Sequence, residues 1–151
     1  MSKNIENSET LLRLLCSPLY FNEVLGIVNP DAFDLRTLPS GELEDFVSLG
    51  RKKYFDTEEK FNNYIQLGYQ ITWPAFNPPN QYTAYGEFNC GDAREVNQMV
   101  KIHLLKKGHV GLYYVKQDGK NYKGPLPKTD PEILDMLTDL ADLLNVTRIK
   151  I

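Results

Sequence analysis

The chain has 151 residues, of which 42% are hydrophobic and 25% are charged, and its formal net charge is −3. These values exclude a disordered polar chain and predict one globular domain spanning residues 1–151, with residues 1–7 disordered. The negative charge argues against nonspecific nucleic-acid binding by the whole surface. No apolar run approaches the roughly 20 residues that span a bilayer, so no membrane association is expected.

The first half of the chain predicts a helix and two short strands. Ser8 suits the N-cap of a helix that carries three leucines on one side and ends before Pro18. Residues 25–28 and 46–49 are short apolar runs, which predict strands.

The middle of the chain predicts a second helix and two more strands. Asp56 and Glu59 have the spacing of a capping box, and the helix that follows them is predicted to end at Gly68. Apolar residues alternate with polar ones in residues 69–73, and residues 82–88 have similar strand character.

The segment after Asp92 has two interpretations. Asp92 with Glu95 is suited to cap a helix whose apolar face continues to Leu104 and which is closed by Gly108. Residues 100–104 also alternate, which is typical of a strand. We prefer the helix, because the cap, the periodicity and the terminal glycine agree.

The last third has the clearest patterns. Residues 109–115, with the sequence HVGLYYV, predict a strand, and Asp118-Gly119 predicts a hairpin turn after it. Asp130 followed by proline begins a helix with a clear apolar stripe, and residues 146–151 alternate as a closing edge strand does. The predicted fold is a single α+β domain, a mainly antiparallel sheet with about four packed helices.

The most specific local arrangement places Cys90 just before a predicted helix and His109 at the start of a strand. A thiol near a helix N-terminus gains from the partial positive charge there, and a nearby histidine can accept its proton. Residues 89–120, including HVGLYYVKQDGK, resemble the Cys-bearing helix and the histidine strand of papain-like and NlpC/P60-like cysteine hydrolases. The resemblance implies a hydrolase or transferase with Cys90 as nucleophile and His109 as base. The alternative is that Cys90 is a small buried residue and His109 a turn residue.

Other common chemistries have no support in the sequence. His103 and His109 lack the spacing of a metal site, so no metal is predicted. There is no P-loop, no dinucleotide fingerprint and no serine-hydrolase elbow, so no cofactor is predicted. The only cysteines, Cys16 and Cys90, do not make a disulfide framework, and a reducing, cytoplasmic location is expected.

Aromatic residues concentrate in one stretch, where ten of them lie between Tyr54 and Phe88. Trp73 and Phe76 lie among prolines in a predicted loop, and Tyr82 and Tyr85 follow it. Aromatic side chains on a rigid loop suit a partner or ligand surface, although a loop folded onto the core has the same composition.

Charge is unevenly distributed along the chain. Residues 101–128 hold seven lysines and one acid, whereas residues 130–142 hold five acids and no lysine or arginine. These blocks are either solvated faces or charges that pair across the fold. Arg51-Lys52-Lys53 precedes two aromatic residues, and together with the 101–128 lysines it is compatible with an RNA-binding face.

Three functions therefore remain. The first is a non-enzymatic binding or interaction protein that uses the loop around Trp73 to hold a protein partner or small ligand, as in a bacterial or phage accessory system. The second is a cysteine hydrolase or transferase that uses Cys90 and His109. The third is an RNA-binding protein or ribonuclease that uses the lysines of residues 101–128.

Overall fold

The computed structural model describes residues 5–17, 20–38, 40–64, 81–106 and 108–148, with the backbone alone for residues 16, 17 and 81–83. Its strands are β1 (Thr10–Ser17), β2 (Phe21–Asn22), β3 (Ile27–Val28), β4 (Val47–Arg51), β5 (Gln81–Asn89), β6 (Val100–Lys106), β7 (His109–Tyr114) and β8 (Asn145–Arg148). Its α-helices are α1 (described over residues 58–64), α2 (Cys90–Val96) and α3 (Pro131–Asp142). Short 3-10 helices cover Pro30–Phe33 and Lys52–Tyr54.

Six strands form one sheet in the order β6-β7-β4-β1-β5-β8, and every neighbouring pair is antiparallel. β2 and β3 form a separate two-stranded hairpin. The predicted α+β class with a mostly antiparallel sheet is confirmed. The described residues contain three α-helices, one fewer than the four predicted.

The missing helix is the first one, because residues 10–17 form the strand β1 near the centre of the sheet. Leu11, Leu12, Leu14 and Leu15 are all buried, since both faces of this strand are covered. A strand buried on both faces is a continuous apolar run, which sequence periodicity does not separate from a helix.

The single charged side chain within this run, Arg13, is also buried. Its Nε donates to Ala32 O at 2.8 Å, its Nη1 donates to Ser48 O at 3.1 Å, and its guanidinium lies 5.1 Å from the ring centroid of Tyr20. Carbonyl oxygens and a ring face replace the water that burial removes.

The preferred helix over residues 92–108 is wrong in its second half. α2 is capped by Asn89 rather than Asp92, and it ends at Val96 because Asn97 is extended, with φ −160° and ψ 144°. The alternation at Val100 and Ile102 is that of the edge strand β6, which puts both side chains in the core.

The C-terminal predictions agree with the structure. The Asp130 side chain accepts a hydrogen bond from Glu132 N at 3.0 Å and begins α3, whose apolar stripe is buried. β8 pairs with β5 at one edge of the sheet. The turn at Asp118-Gly119 forms as predicted, with Gly119 at φ 84°.

The two faces of the sheet are covered differently. The main core lies under α3 and the first 3-10 helix, where Phe33 packs edge-on to Phe88 with ring centroids 5.7 Å apart. α1 covers the opposite face. The chain near its N-terminus joins the core as well, since Ile5 is buried.

Candidate functional site

Cys90 is the first residue of α2 and is fully buried. The Asn89 side chain accepts a hydrogen bond from Asp92 N at 3.0 Å, and Cys90 N donates to Glu9 O at 2.9 Å. Burial raises the pKa of the Cys90 thiol; among the smaller effects, the charge of Arg94 lowers it and that of Glu9 raises it. The thiol is therefore favoured over the thiolate, whereas a nucleophilic cysteine needs the opposite.

His109 is the first residue of β7 and packs among aromatic rings. Its ring centroid lies 6.4 Å from that of Phe55 and 6.1 Å from that of Tyr64. Burial, and to a lesser extent the charge of Lys106, lowers the pKa of His109. The neutral imidazole is therefore favoured in the folded protein.

The strand register separates Cys90 from His109. His109 pairs with Gly50, Gly50 pairs with Leu12, and Leu12 pairs with Glu87. Three strand spacings of about 4.8 Å place Glu87 about 14 Å from His109, and Cys90 lies three residues beyond Glu87. The structure does not bring the two side chains within the roughly 3 Å that a nucleophile–base hydrogen bond requires.

The predicted aromatic binding residues are only partly visible. Trp73 and Phe76 lie outside the described residues, and so does the side chain of Tyr82. Tyr85 is half-buried in β5, and its ring packs edge-on to Phe61 of α1 with centroids 4.8 Å apart.

Tyr85 belongs to an outer-face cluster on the side of the sheet opposite α3, made of Phe55, Phe61, Tyr64, Tyr85 and His109. Phe55 and Tyr64 stack with centroids 4.3 Å apart. Gly50 makes room for this stack, since a Cβ at that position would lie 2.8 Å from the Tyr64 ring. The cluster attaches α1 to the sheet, so its described members act mainly in packing. Phe61 and Tyr64 are three residues apart, which places them on one face of α1, but the approach of His109 is a tertiary contact without a local signal.

The most exposed large apolar side chains of the described ranges lie in the turn between β2 and β3 and at the start of β3. Val24 is 92% exposed, Leu25 67% and Ile27 54%. We call these three residues the hairpin tip. The sequence pattern predicted a strand at residues 25–28 but not its exposure. The sequence does carry one signal of this exposure: the turn that contains Gly26 is apolar, whereas turns usually consist of polar residues.

The hairpin tip is held in one conformation. The Asn22 side-chain oxygen accepts hydrogen bonds from Val24 N and Leu25 N, each at 3.0 Å, and Gly26 N donates to Asn22 O at 2.8 Å. Gly26 has φ 67°, which few other residues adopt without strain. The turn therefore presents its apolar side chains on an ordered backbone.

An edge strand supports the same turn from one side. Arg148 of β8 donates from Nη2 to Glu23 O at 2.8 Å and pairs through Nη1 with the Glu23 carboxylate at 3.3 Å. Its guanidinium also lies 5.4 Å from the ring centroid of Phe21. The turn is thus anchored to the main sheet.

The basic segment Arg51-Lys52-Lys53 is largely neutralised. Glu9 accepts from Arg51 at 2.5 Å and lies 3.8 Å from Lys53, while Lys52 pairs with Glu87 at 2.6 Å. The surface pocket of about 460 Å³ at this place therefore contains both signs of charge. Little net positive charge remains here for a phosphate backbone.

Lys128, the last lysine of the basic residues 101–128, does not pair with the acidic residues 130–142. Its Nζ lies 2.6 Å from Asp34 and 3.3 Å from Asp31, both outside the 130–142 block. Asp34 is buried and also accepts from Leu126 N at 2.9 Å, so this network fixes the loop before α3.

In the described part of the chain, no group of three or more His, Cys, Asp or Glu side chains is arranged to hold a metal ion. None of the helices in the same ranges combines the length and apolar character that crossing a bilayer requires. Comparison with known proteins found no matching family model, no matching curated protein and no matching solved structure.

Proposed function

We propose that this protein is a non-enzymatic interaction protein and that the hairpin tip enters an apolar pocket of a protein partner. The observation that carries the proposal is the exposure of Val24 and Leu25 on an ordered turn. Single exposed apolar residues are normal, but three of them within four residues of an ordered hairpin are typical of an interaction site.

The energetic gain from docking this tip is substantial. Transfer of Val24 and Leu25 from water to an apolar pocket contributes about 1.5–3 kcal/mol for each side chain. The hydrogen bonds to Asn22 already order the turn, so binding loses little additional backbone entropy. A small projection can therefore supply most of the free energy of a specific contact.

The surroundings of the tip fit a protein pocket better than an anionic membrane surface. The charged groups beside it, Glu23 and Arg148, already form an ion pair, so they give no net positive charge. An apolar centre with a paired polar rim is the usual anatomy of a protein interface. The loop around Trp73 and Phe76, outside the described residues, remains a predicted second contact.

The enzymatic alternative has weaker support. It requires Cys90 and His109 to meet, whereas the strand register separates them and burial raises the pKa of the Cys90 thiol. An interaction role uses the exposed residues and requires no such contact.

The test begins with a photo-crosslinking amino acid at position 24 in the native host. The crosslinked protein is identified by mass spectrometry, purified separately, and its Kd for the unmodified chain is measured by calorimetry. We expect Val24→Asp and Leu25→Asp each to weaken binding by about tenfold to 100-fold, corresponding to about 1.4–2.8 kcal/mol.

Leu134→Asp is the matched control, because Leu134 is also an exposed leucine, at 42%, but lies on α3. We expect it to bind like the wild type. Equal affinity of the tip variants and the control would contradict the proposal. Binding to phosphatidylserine vesicles, or concentration-dependent dimerisation lost in Leu25→Asp, would replace the protein partner with a membrane or a second copy.

A further inference from the structure

A second pocket, of about 340 Å³, lies at the free edge of β6 and has a different chemistry from the hairpin tip. Its lining consists of Arg94, Gln98, Val100, Lys101, Ile102 and His103. Among the described residues its lining contains no carboxylate, in contrast to the pocket beside Lys52. Its volume is in the range of small-molecule sites.

Arg94 carries a positive charge that its hydrogen-bond partners in the described residues do not neutralise. Its Nη1 donates to Ile5 O at 2.5 Å and to the Asn7 side-chain oxygen at 2.7 Å, and its Nη2 donates to Ile102 O at 3.1 Å. All three acceptors are neutral oxygens. Two of the five N–H donors, on Nε and Nη2, have no partner within the described ranges.

The edge strand adds two more side chains that can carry a positive charge. Lys101 and His103 are exposed and two residues apart, so they lie on the same side of β6. Neither makes an ion pair with a described residue, and the His103 ring lies 5.7 Å from that of Tyr113. Because β6 is at the edge of the sheet, the pocket opens to solvent.

The nearest acids along the chain are placed away from this pocket. Asp92 and Glu95 are two residues before and one residue after Arg94 on α2, spacings at which helical side chains do not face each other. Glu132 accepts a hydrogen bond from the Asn97 side chain at 3.2 Å and is not part of the lining. Asp45 acts on Tyr113, whose ring neighbours His103, but it is not part of the lining either. The charged side chains of the described lining are therefore all positive.

From this arrangement we infer that the pocket binds a phosphate group, with Arg94, Lys101 and His103 surrounding its oxygens and Gln98 donating a further hydrogen bond. Guanidinium and ammonium donors form charge-assisted bonds with phosphate, which are stronger than neutral ones. The group belongs either to a small phosphate ester or to a nucleic-acid backbone, both of which present the same oxygens. The site is independent of the proposed hairpin-tip interaction.

The experiment follows backbone and His103 side-chain NMR resonances at pH 7 and low salt. Inorganic phosphate, adenosine 5′-monophosphate and a single-stranded RNA ten-mer are each titrated into the full chain. We expect saturable shifts confined to residues around Arg94, Lys101 and His103. A mononucleotide that binds as tightly as the oligomer identifies the small ester, whereas a salt-dependent preference for the oligomer identifies the backbone.

The decisive variant is Lys101→Gln with His103→Gln, since both side chains are exposed and their replacement leaves the Arg94 contacts to Ile5 and Ile102 in place. We expect phosphate affinity to fall at least tenfold. Lys120→Gln is the control, an exposed lysine outside the pocket, and is expected to change affinity less than twofold. No saturable shift with any ligand, or equal weakening by the control, overturns the inference.

Discussion

The fully buried thiol of Cys90 makes a quantitative prediction about its reactivity. An alkylating reagent reaches this atom only when the surrounding core opens. Domains of this kind have unfolding free energies of about 5–15 kcal/mol. Even at 5 kcal/mol the open fraction is about 10⁻³ to 10⁻⁴, because each 1.36 kcal/mol is a factor of ten. If access requires global opening, alkylation of folded Cys90 is expected to be at least about 10³-fold slower than that of an unfolded thiol.

The assay measures iodoacetamide incorporation by mass spectrometry at pH 6 and pH 8. A Cys16→Ser background leaves one thiol, and the same protein in urea supplies the unfolded reference rate. We expect the folded-to-unfolded ratio to stay low at both pH values, because burial also raises the pKa of the thiol. A folded rate equal to or above the reference at pH 6 would refute the structural role and restore the nucleophile implied by the hydrolase resemblance.

Three further predictions concern stability. Tyr114→Phe removes the hydrogen bond from the buried hydroxyl to Phe33 O, 2.6 Å long, and should lower the free energy of unfolding by about 1–3 kcal/mol in urea titration; no change would mean that the carbonyl finds another donor. Asp130→Ala removes the cap on Glu132 N and should cost about 1 kcal/mol, whereas Asp130→Ser should retain most of the stability; equal losses would contradict a capping role. Burial lowers the pKa of His109 from 6.5, so the unfolded state binds its proton more tightly and stability should fall as pH drops below about 6.5. The difference between the urea midpoints at pH 7.5 and pH 5.5 should be smaller in His109→Gln than in the wild type. An identical difference in both proteins would exclude this histidine as the cause.

The elements that the sequence predicted well have several local signals that agree. α3 combines an N-cap, a proline at the first helical position and an apolar stripe, and all three are visible within its own residues. The strand at His109 has β-branched and aromatic residues and is followed by an aspartate–glycine turn. In these segments local preference and tertiary packing require the same structure.

The elements that were predicted wrongly are those in which tertiary burial changes the meaning of an apolar pattern. In β1 the leucines on both faces are buried, so the period of two disappears and a helix fits the sequence equally well. In residues 92–108 one apolar series belongs to two elements, because it continues from Ala93 of α2 into Val100 of β6. The break at Asn97 has no proline or glycine to mark it.

The candidate sites depend on tertiary placement in the same way. Cys90 and His109 each have the local sequence pattern that their predicted roles require, but catalysis depends on which strands lie between them, and β4 and β1 lie there. The residues at 24–27 have the composition of a core strand, but their place in a hairpin separate from the main sheet exposes them instead. An apolar side chain is a packing residue when the fold covers it and an interaction residue when the fold orders its backbone and leaves it in water. For Val24 and Leu25 the bonds to Asn22 supply that order, which is why the hairpin tip, rather than the cysteine, carries the functional proposal.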